Sequence, residues 1–365
     1  ITNGACVSFS DVTITIVSGP TVAAAGPAQS LCLATSTTLS GNTPLVGTGS
    51  WAFVSGPNTP TINTPTSPTT SVTGLIPGVY TFRWTISFAN CTPSASNVIV
   101  TIYDNPTVSN AGPNQTICST TTTMAANSAV IGTGLWIKLS GPAATITTPT
   151  SPTTTITGMT AGTYVFQWTI SNGICPPSSS TVQITVSPAP TTAAAGPNQT
   201  VCAATSITLT GNTAVIGTGV WAVVSGPNIP VITTPGSPIS TVTSLIPGVY
   251  VFSWTITSGV CPPSISNVTI TINDNVTVSN AGPTQTQCGT TVTLAGNTPV
   301  IGTGLWTRLS GPNTPVITTP TSPTTTVTGM VVGTYVFRWT ITNGACVSFS
   351  DVTITIVSGP TVAAA

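Results

Sequence analysis

The chain has 365 residues, of which only four are basic and four acidic, with no histidine and no net charge. So few cations cannot neutralise many phosphates, which makes nucleic acid and anionic membrane surfaces poor partners. Hydrophobic residues make up 40% of the chain, so it is expected to fold rather than stay disordered, and no run of about 18 apolar residues suggests a membrane span.

Repetition organises the rest. Residues 1–25, ITNGACVSFSDVTITIVSGPTVAAA, recur unchanged as residues 341–365, a period of 340. Trp51, Trp136, Trp221 and Trp306 recur every 85 residues, and a second set follows at Trp84, Trp168, Trp254 and Trp339. This spacing predicts four repeats, at 20–104, 105–188, 189–273 and 274–358. Residues 1–19 read as the last strand or strands of a preceding repeat, and 359–365 as the start of the next, so the chain reads as part of a longer array.

In the first repeat, TVAAAGPAQSLC is a strand broken at Gly26-Pro27. TSTTLSGN, WAFVSGP and PTINT follow, then a Pro-Thr-Ser-Pro turn at 65–68 and the strand TTSVTGL. Pro77-Gly78 turns the chain into YTFRWTIS, and SNVIVTI closes the repeat. Proline and glycine fall between these segments, where their backbone effects are tolerated. Side chains in a strand alternate faces, so Tyr80, Phe82 and Trp84 share one face with Ile86. The same alternation recurs at Tyr164, Phe166 and Trp168, at Tyr250, Phe252 and Trp254, and at Tyr335, Phe337 and Trp339. These twelve aromatic residues are the predicted core. Short strands, frequent turns and a tyrosine at the corner before each such strand predict an all-β fold, a tandem array of four immunoglobulin-like β-sandwich domains of about 85 residues.

A longer period of 170 residues is visible in the charges. Asp104 and Lys138 in the second repeat match Asp274 and Arg308 in the fourth, and the first and third repeats lack both. Each is read as an ion pair, against the alternative of two separately solvated charges. Arg338 and Asp351 are expected to face each other across a hairpin.

The nine cysteines form two classes. Cys32, Cys118, Cys202 and Cys288 follow the first strand of a repeat, whereas Cys6, Cys91, Cys175, Cys261 and Cys346 follow the turn between the last two strands. Such regular usage points to disulfides and an oxidising, extracellular compartment. The preferred pairing is within repeats: Cys32–Cys91, Cys118–Cys175, Cys202–Cys261 and Cys288–Cys346, with Cys6 pairing outside the chain. In a simple sandwich, however, the two loops concerned lie at opposite ends. The alternative joins neighbouring repeats as Cys32–Cys175, Cys118–Cys261 and Cys202–Cys346. Zinc is a poor reading, because no CxxC and no histidine is present.

Little else suggests chemistry. No histidine or glutamate can act as a base, no serine has an activating partner, and the aspartates are isolated. No enzyme activity, metal or cofactor is therefore expected. The four upstream tryptophans are ambiguous: in GLWIKLSGP, Leu135, Ile137 and Leu139 share one face and Trp136 the other. Buried, Trp136 is an ordinary sandwich residue; exposed, it could stack on a sugar ring.

The series AGPNQTxC, GNTxVIGTGxW, TSPTTTVTG and GTYVFRWTISNGxCPPS resembles the PKD-like, immunoglobulin-like repeats of giant cell-surface proteins of Bacteroidota, such as gliding-motility adhesins exported by type IX secretion. The resemblance spans all four repeats. It departs from ordinary PKD domains where an acidic WDFGDG-like segment is replaced by W-x-x-x-SGP. It implies a structural extracellular filament or stalk whose partners are adjacent repeats of the same array, with lateral self-association favoured by the neutral surface. The alternative it leaves open is a multivalent array binding surface glycans.

Overall fold

The computed structural model describes residues 2–359 and is all-β. It divides into two compact units, residues 1–186 and 187–365, each containing two sandwiches. Ahead of the first sandwich lies only a small hairpin, β1 (Thr2–Asn3) with β2 (Cys6–Val7). The residues expected to begin a further repeat lie almost entirely outside the described residues.

The first sandwich uses seven strands: β3 (Gln29–Cys32), β4 (Ser36–Ser40), β5 (Thr48–Ser55), β6 (Thr61–Ile62), β7 (Thr69–Thr73), β8 (Gly78–Ser87) and β9 (Ser94–Tyr103). One sheet has the order β3-β9-β8-β5 and the other β4-β7-β6. All pairings are antiparallel except β3 with β9, which is parallel and sets Cys32 opposite Tyr103. The second sandwich repeats this order from β10 (Gln115–Ile117) to β16 (Ser178–Val186). The third runs from β17 (Gln199–Cys202) to β23 (Ser264–Asn273), and the fourth from β24 (Gln285–Cys288) to β30 (Cys346–Val357).

The alternating aromatic strand is β8 and its counterparts β15 (Gly162–Ser171), β22 (Gly248–Thr257) and β29 (Gly333–Asn343). Its Tyr, Phe, Trp and Ile are buried in all four sandwiches. Trp51 on β5 sits opposite Trp84 in register, with the ring centroids 5.1 Å apart. Leu39 and Val72 close the core from the other sheet. Each upstream tryptophan is buried too, and its indole N–H donates to a proline carbonyl in the Pro-Thr-Ser-Pro-type turn, as from Trp51 to Pro68 at 3.1 Å and Trp306 to Pro323 at 3.1 Å. A buried indole needs such a partner, since an orphaned donor costs about 1–3 kcal/mol. The tyrosine hydroxyl behaves likewise: Tyr80 accepts from the Ile76 amide at 2.9 Å and donates to Asn58. Burial of the tryptophans leaves Leu135, Ile137 and Leu139 half-exposed on the opposite face of β12 (Thr133–Ser140), an edge strand.

One glycine per sandwich makes the tryptophan packing possible. At Gly219 on β19 (Thr218–Ser225), an added Cβ would lie 2.1 Å from Cζ2 of Trp254; at Gly236 nothing lies within 4 Å. Overpacking of this kind costs about 1–3 kcal/mol. Gly219→Ala should therefore destabilise its sandwich to urea by that amount, and Gly236→Ala should stay within about 0.5 kcal/mol, both read from tryptophan fluorescence.

Candidate functional site: the junction between paired sandwiches

Within each unit the most developed non-core structure is the junction between its two sandwiches. In the first unit, the turn after β15 carries Asn172, Gly173 and Cys175 and lies on the end of β9. The Asn172 side-chain amide donates to the Asp104 carbonyl at 2.9 Å. Gly173 has φ +57°, and a Cβ there would lie 2.4 Å from the Tyr103 ring. Glycine is thus required twice over, by conformation and by space. The Cys175 sulfur sits 3.6 Å from the Tyr103 carbonyl oxygen. The second unit repeats the arrangement: Asn343 donates to the Asp274 carbonyl at 3.1 Å, and Cys346 lies 3.8 Å from the Asn273 carbonyl oxygen.

A disulfide closes each junction. Cys32 bonds Cys175 and Cys202 bonds Cys346, with Cα–Cα distances of 5.0 and 4.8 Å. Cys118 and Cys261 are also disulfide-bonded, whereas Cys91 and Cys288 are free thiols. The within-repeat pairings Cys32–Cys91, Cys202–Cys261 and Cys288–Cys346 are therefore corrected, and the neighbour pattern replaces them. Cys118–Cys175 fails with them, because Cys175 is taken by Cys32. The cause is the parallel register. β3 runs beside the final residues of β9, so Cys32 stands where β9 ends, while Cys91 lies before β9 begins. A strand of this length, at about 3.3 Å per residue, puts roughly 30 Å between those two ends. A disulfide spans a Cα separation of about 7 Å at most. The partner of Cys6 lies outside the described residues.

The charges divide differently from expectation. The Lys138 ammonium donates to the carbonyls of Gly141 and Pro142, and the Asp104 carboxylate accepts from the Asn105 amide at 2.8 Å. Arg308 likewise turns to the Gly311 carbonyl and the Thr314 hydroxyl. The expected Asp104–Lys138 and Asp274–Arg308 ion pairs are not formed. Each cation caps the turn that follows its own strand, where free carbonyls are within reach. Arg338 and Asp351 do pair, opposite one another in register, with two contacts of 2.7 and 2.9 Å and the guanidinium 4.0 Å above the Phe349 ring. That hydrogen bond to Arg338 lowers the Asp351 carboxyl pKa below its usual value. Among the described residues no three metal-ligating side chains cluster.

The junction disulfide should matter little to either core. Cys32→Ser with Cys175→Ser should leave the urea stability of both sandwiches within about 1 kcal/mol of the parent, because no core contains either cysteine. Loss of a disulfide within a small domain costs about 2–5 kcal/mol instead. Hydrogen exchange at the amides of 103–107 should accelerate in the same variant. For Asp351, a pKa depressed by folding means the ion pair stabilises the protein above the ordinary carboxylate value and ceases to do so as pH falls through the lowered one. Asp351→Asn should therefore melt below the parent at pH 7, and the difference should close on acidification, as calorimetry would show.

A sequence model of the PKD domain matches residues 25–102, 111–186, 195–272 and 281–356. No curated protein sequence matches the chain. Among solved structures, the chain is similar to the solution structure of the PKD domain from KIAA 1837 protein, at 29% identity over 22% of this chain and 85% of that one, TM-score 0.21. The N-terminal eight immunoglobulin domains of Down Syndrome Cell Adhesion Molecule match at 10% identity over 93% of this chain, TM-score 0.47, and the chain spans 49% of that length. Sidekick-1 immunoglobulin domains 1–4 match at 12% identity over 93% and 99% of the two chains, TM-score 0.31. With four matched segments, each coinciding with one sandwich, the chain belongs to the PKD domain family.

Proposed function

We propose that this chain is a length of extracellular structural filament or stalk of a bacterial surface adhesin, built from PKD-like repeats at 20–104, 105–188, 189–273 and 274–358. The observation that carries this reading is the disulfide placed between sandwiches instead of within them. A bond inside a sandwich stabilises that sandwich; a bond between two fixes their connection, which suits a series held under tension. Disulfides and tandem immunoglobulin-like repeats are both typical of proteins outside the cytoplasm. The sequence pattern further supports a giant Bacteroidota surface protein of the gliding-motility adhesin type, exported by type IX secretion. The architecture is of a kind typical of structural or adhesive, non-catalytic domains, and the partners proposed are adjacent repeats and, through the neutral surface, parallel copies.

A glycan-binding array would need aromatic faces open to solvent at a fixed place on each repeat. All eight tryptophans are buried, which favours the structural reading.

Electron microscopy of native material released without reductant tests this. Long uniform fibres with an axial repeat of one or two sandwiches are expected. Short, separate, flexible beads would overturn the filament assignment.

A further inference from the structure

Residues 8–18 carry the sequence of a core strand yet have no strand partner. Their counterparts 340 residues on form most of β30, where Val352, Ile354 and Ile356 are 2%, 0% and 3% exposed. The same residues in the first copy, Val12, Ile14 and Ile16, are 82%, 79% and 92% exposed. Identical side chains therefore lie buried at one end of the chain and bare at the other. The environment that buries them is known in detail: β30 lies between β24 and β29, bonded to both.

The two free thiols flank the same missing junction. Cys91 lies 4.0 Å from the Ser18 carbonyl oxygen, much as Cys175 lies on Tyr103 and Cys261 on Ser187 and Pro188. Cys288 stands opposite Val357 in the parallel register, as Cys32 stands opposite Tyr103. Val357 is the counterpart of Val17, the residue before Ser18. Superimposing the two copies of the repeated segment places Cys288 beside Cys91, in the relation that Cys32 has to Cys175.

We propose that residues 7–18 and Cys91 are one half of an interdomain clamp completed by a second copy of this chain, whose fourth sandwich takes up residues 7–18 as its last strand and whose Cys288 bonds Cys91. The exchange is close to neutral in strand pairing, since the arriving segment has the sequence of the departing one. One exposed strand is buried and an identical one released. The net gain is the new junction and its disulfide. In forming it, the Cys91 and Cys288 thiols lose two protons and two electrons to a disulfide oxidant, glutathione disulfide, which leaves as two glutathione thiols. A thiolate exchange also passes Cys202 from Cys346 to its counterpart Cys6, with no net oxidation. This deepens the filament reading by naming the connection through which units are added.

The test incubates the full chain with glutathione disulfide and a trace of glutathione, followed by non-reducing electrophoresis and mass spectrometry of peptic fragments. A ladder in steps of 36.5 kDa is expected, with Cys91–Cys288 as the intermolecular link. Cys288→Ser should abolish the ladder. Val12→Asp with Ile14→Asp should reduce it at least tenfold, leaving both thiols capped by glutathione; neither residue belongs to a folded sandwich, so the fold is unaffected. Monomer only, links of Cys91 to Cys91 or Cys288 to Cys288, or a ladder indifferent to the Val12 and Ile14 changes would overturn the proposal. Fibres in native material that lack a Cys91–Cys288 link would overturn it while leaving the filament assignment standing.

Discussion

The parallel pairing of β3 with β9 governs the rest of the structure. It puts β9 in the interior of its sheet, hydrogen-bonded on both sides, and it carries the chain entering the sandwich to the end where the chain leaves it. Cys32 is thereby delivered to the exit end, beside the residue on which the next sandwich rests. An antiparallel first strand would have left that cysteine at the entry end, near Cys91, and the bond would have closed within the sandwich. The direction of one four-residue strand thus decides whether the disulfide stabilises a domain or a connection.

The core was legible because strand periodicity is rigid. Tyr80, Phe82 and Trp84 alternate with polar residues, and a strand has only two faces, so the buried face follows from the spacing alone. The opposing β5 strand and its counterparts were harder to read, since three aliphatic residues compete with one tryptophan in GLWIKLSGP. The structure buries the tryptophan because a glycine in the same strand opens space for the opposite indole and a proline carbonyl satisfies the N–H. The disulfide pairing depended on a strand direction that composition does not encode. The charge pairs misled for a related reason: equal spacing of Asp104–Lys138 and Asp274–Arg308 reflects the 170-residue repeat itself, and backbone carbonyls nearer at hand claim both cations. Arg338–Asp351 was readable because cross-strand neighbours in a hairpin are fixed by register.

With so few charges, neutral side chains fix the loops. Asn42 accepts from the Ala24 amide at 2.8 Å and donates to the Val22 carbonyl at 2.9 Å, and Asn127, Asn212 and Asn297 repeat this clasp. Thr21 accepts from two successive amides, as do Thr107, Thr191 and Thr277. None of these groups titrates in the ordinary pH range, and none is screened by salt. The Asn172 and Asn343 contacts at the junctions are of the same neutral kind.

The disulfide between sandwiches also changes how the chain bears a pull on its ends. Tension that reaches Cys32 crosses the sulfur bridge directly to Cys175, so residues 33–174 lie outside the load path. Cys202 and Cys346 shield the residues between them in the same way. The two tryptophan cores of the first unit fall inside the bypassed loop, apart from the strands after Cys175. Stretching therefore works on covalent bonds and on short connecting segments before it can draw out the enclosed strands, and the chain is least extensible where an ordinary string of sandwiches would yield one domain at a time.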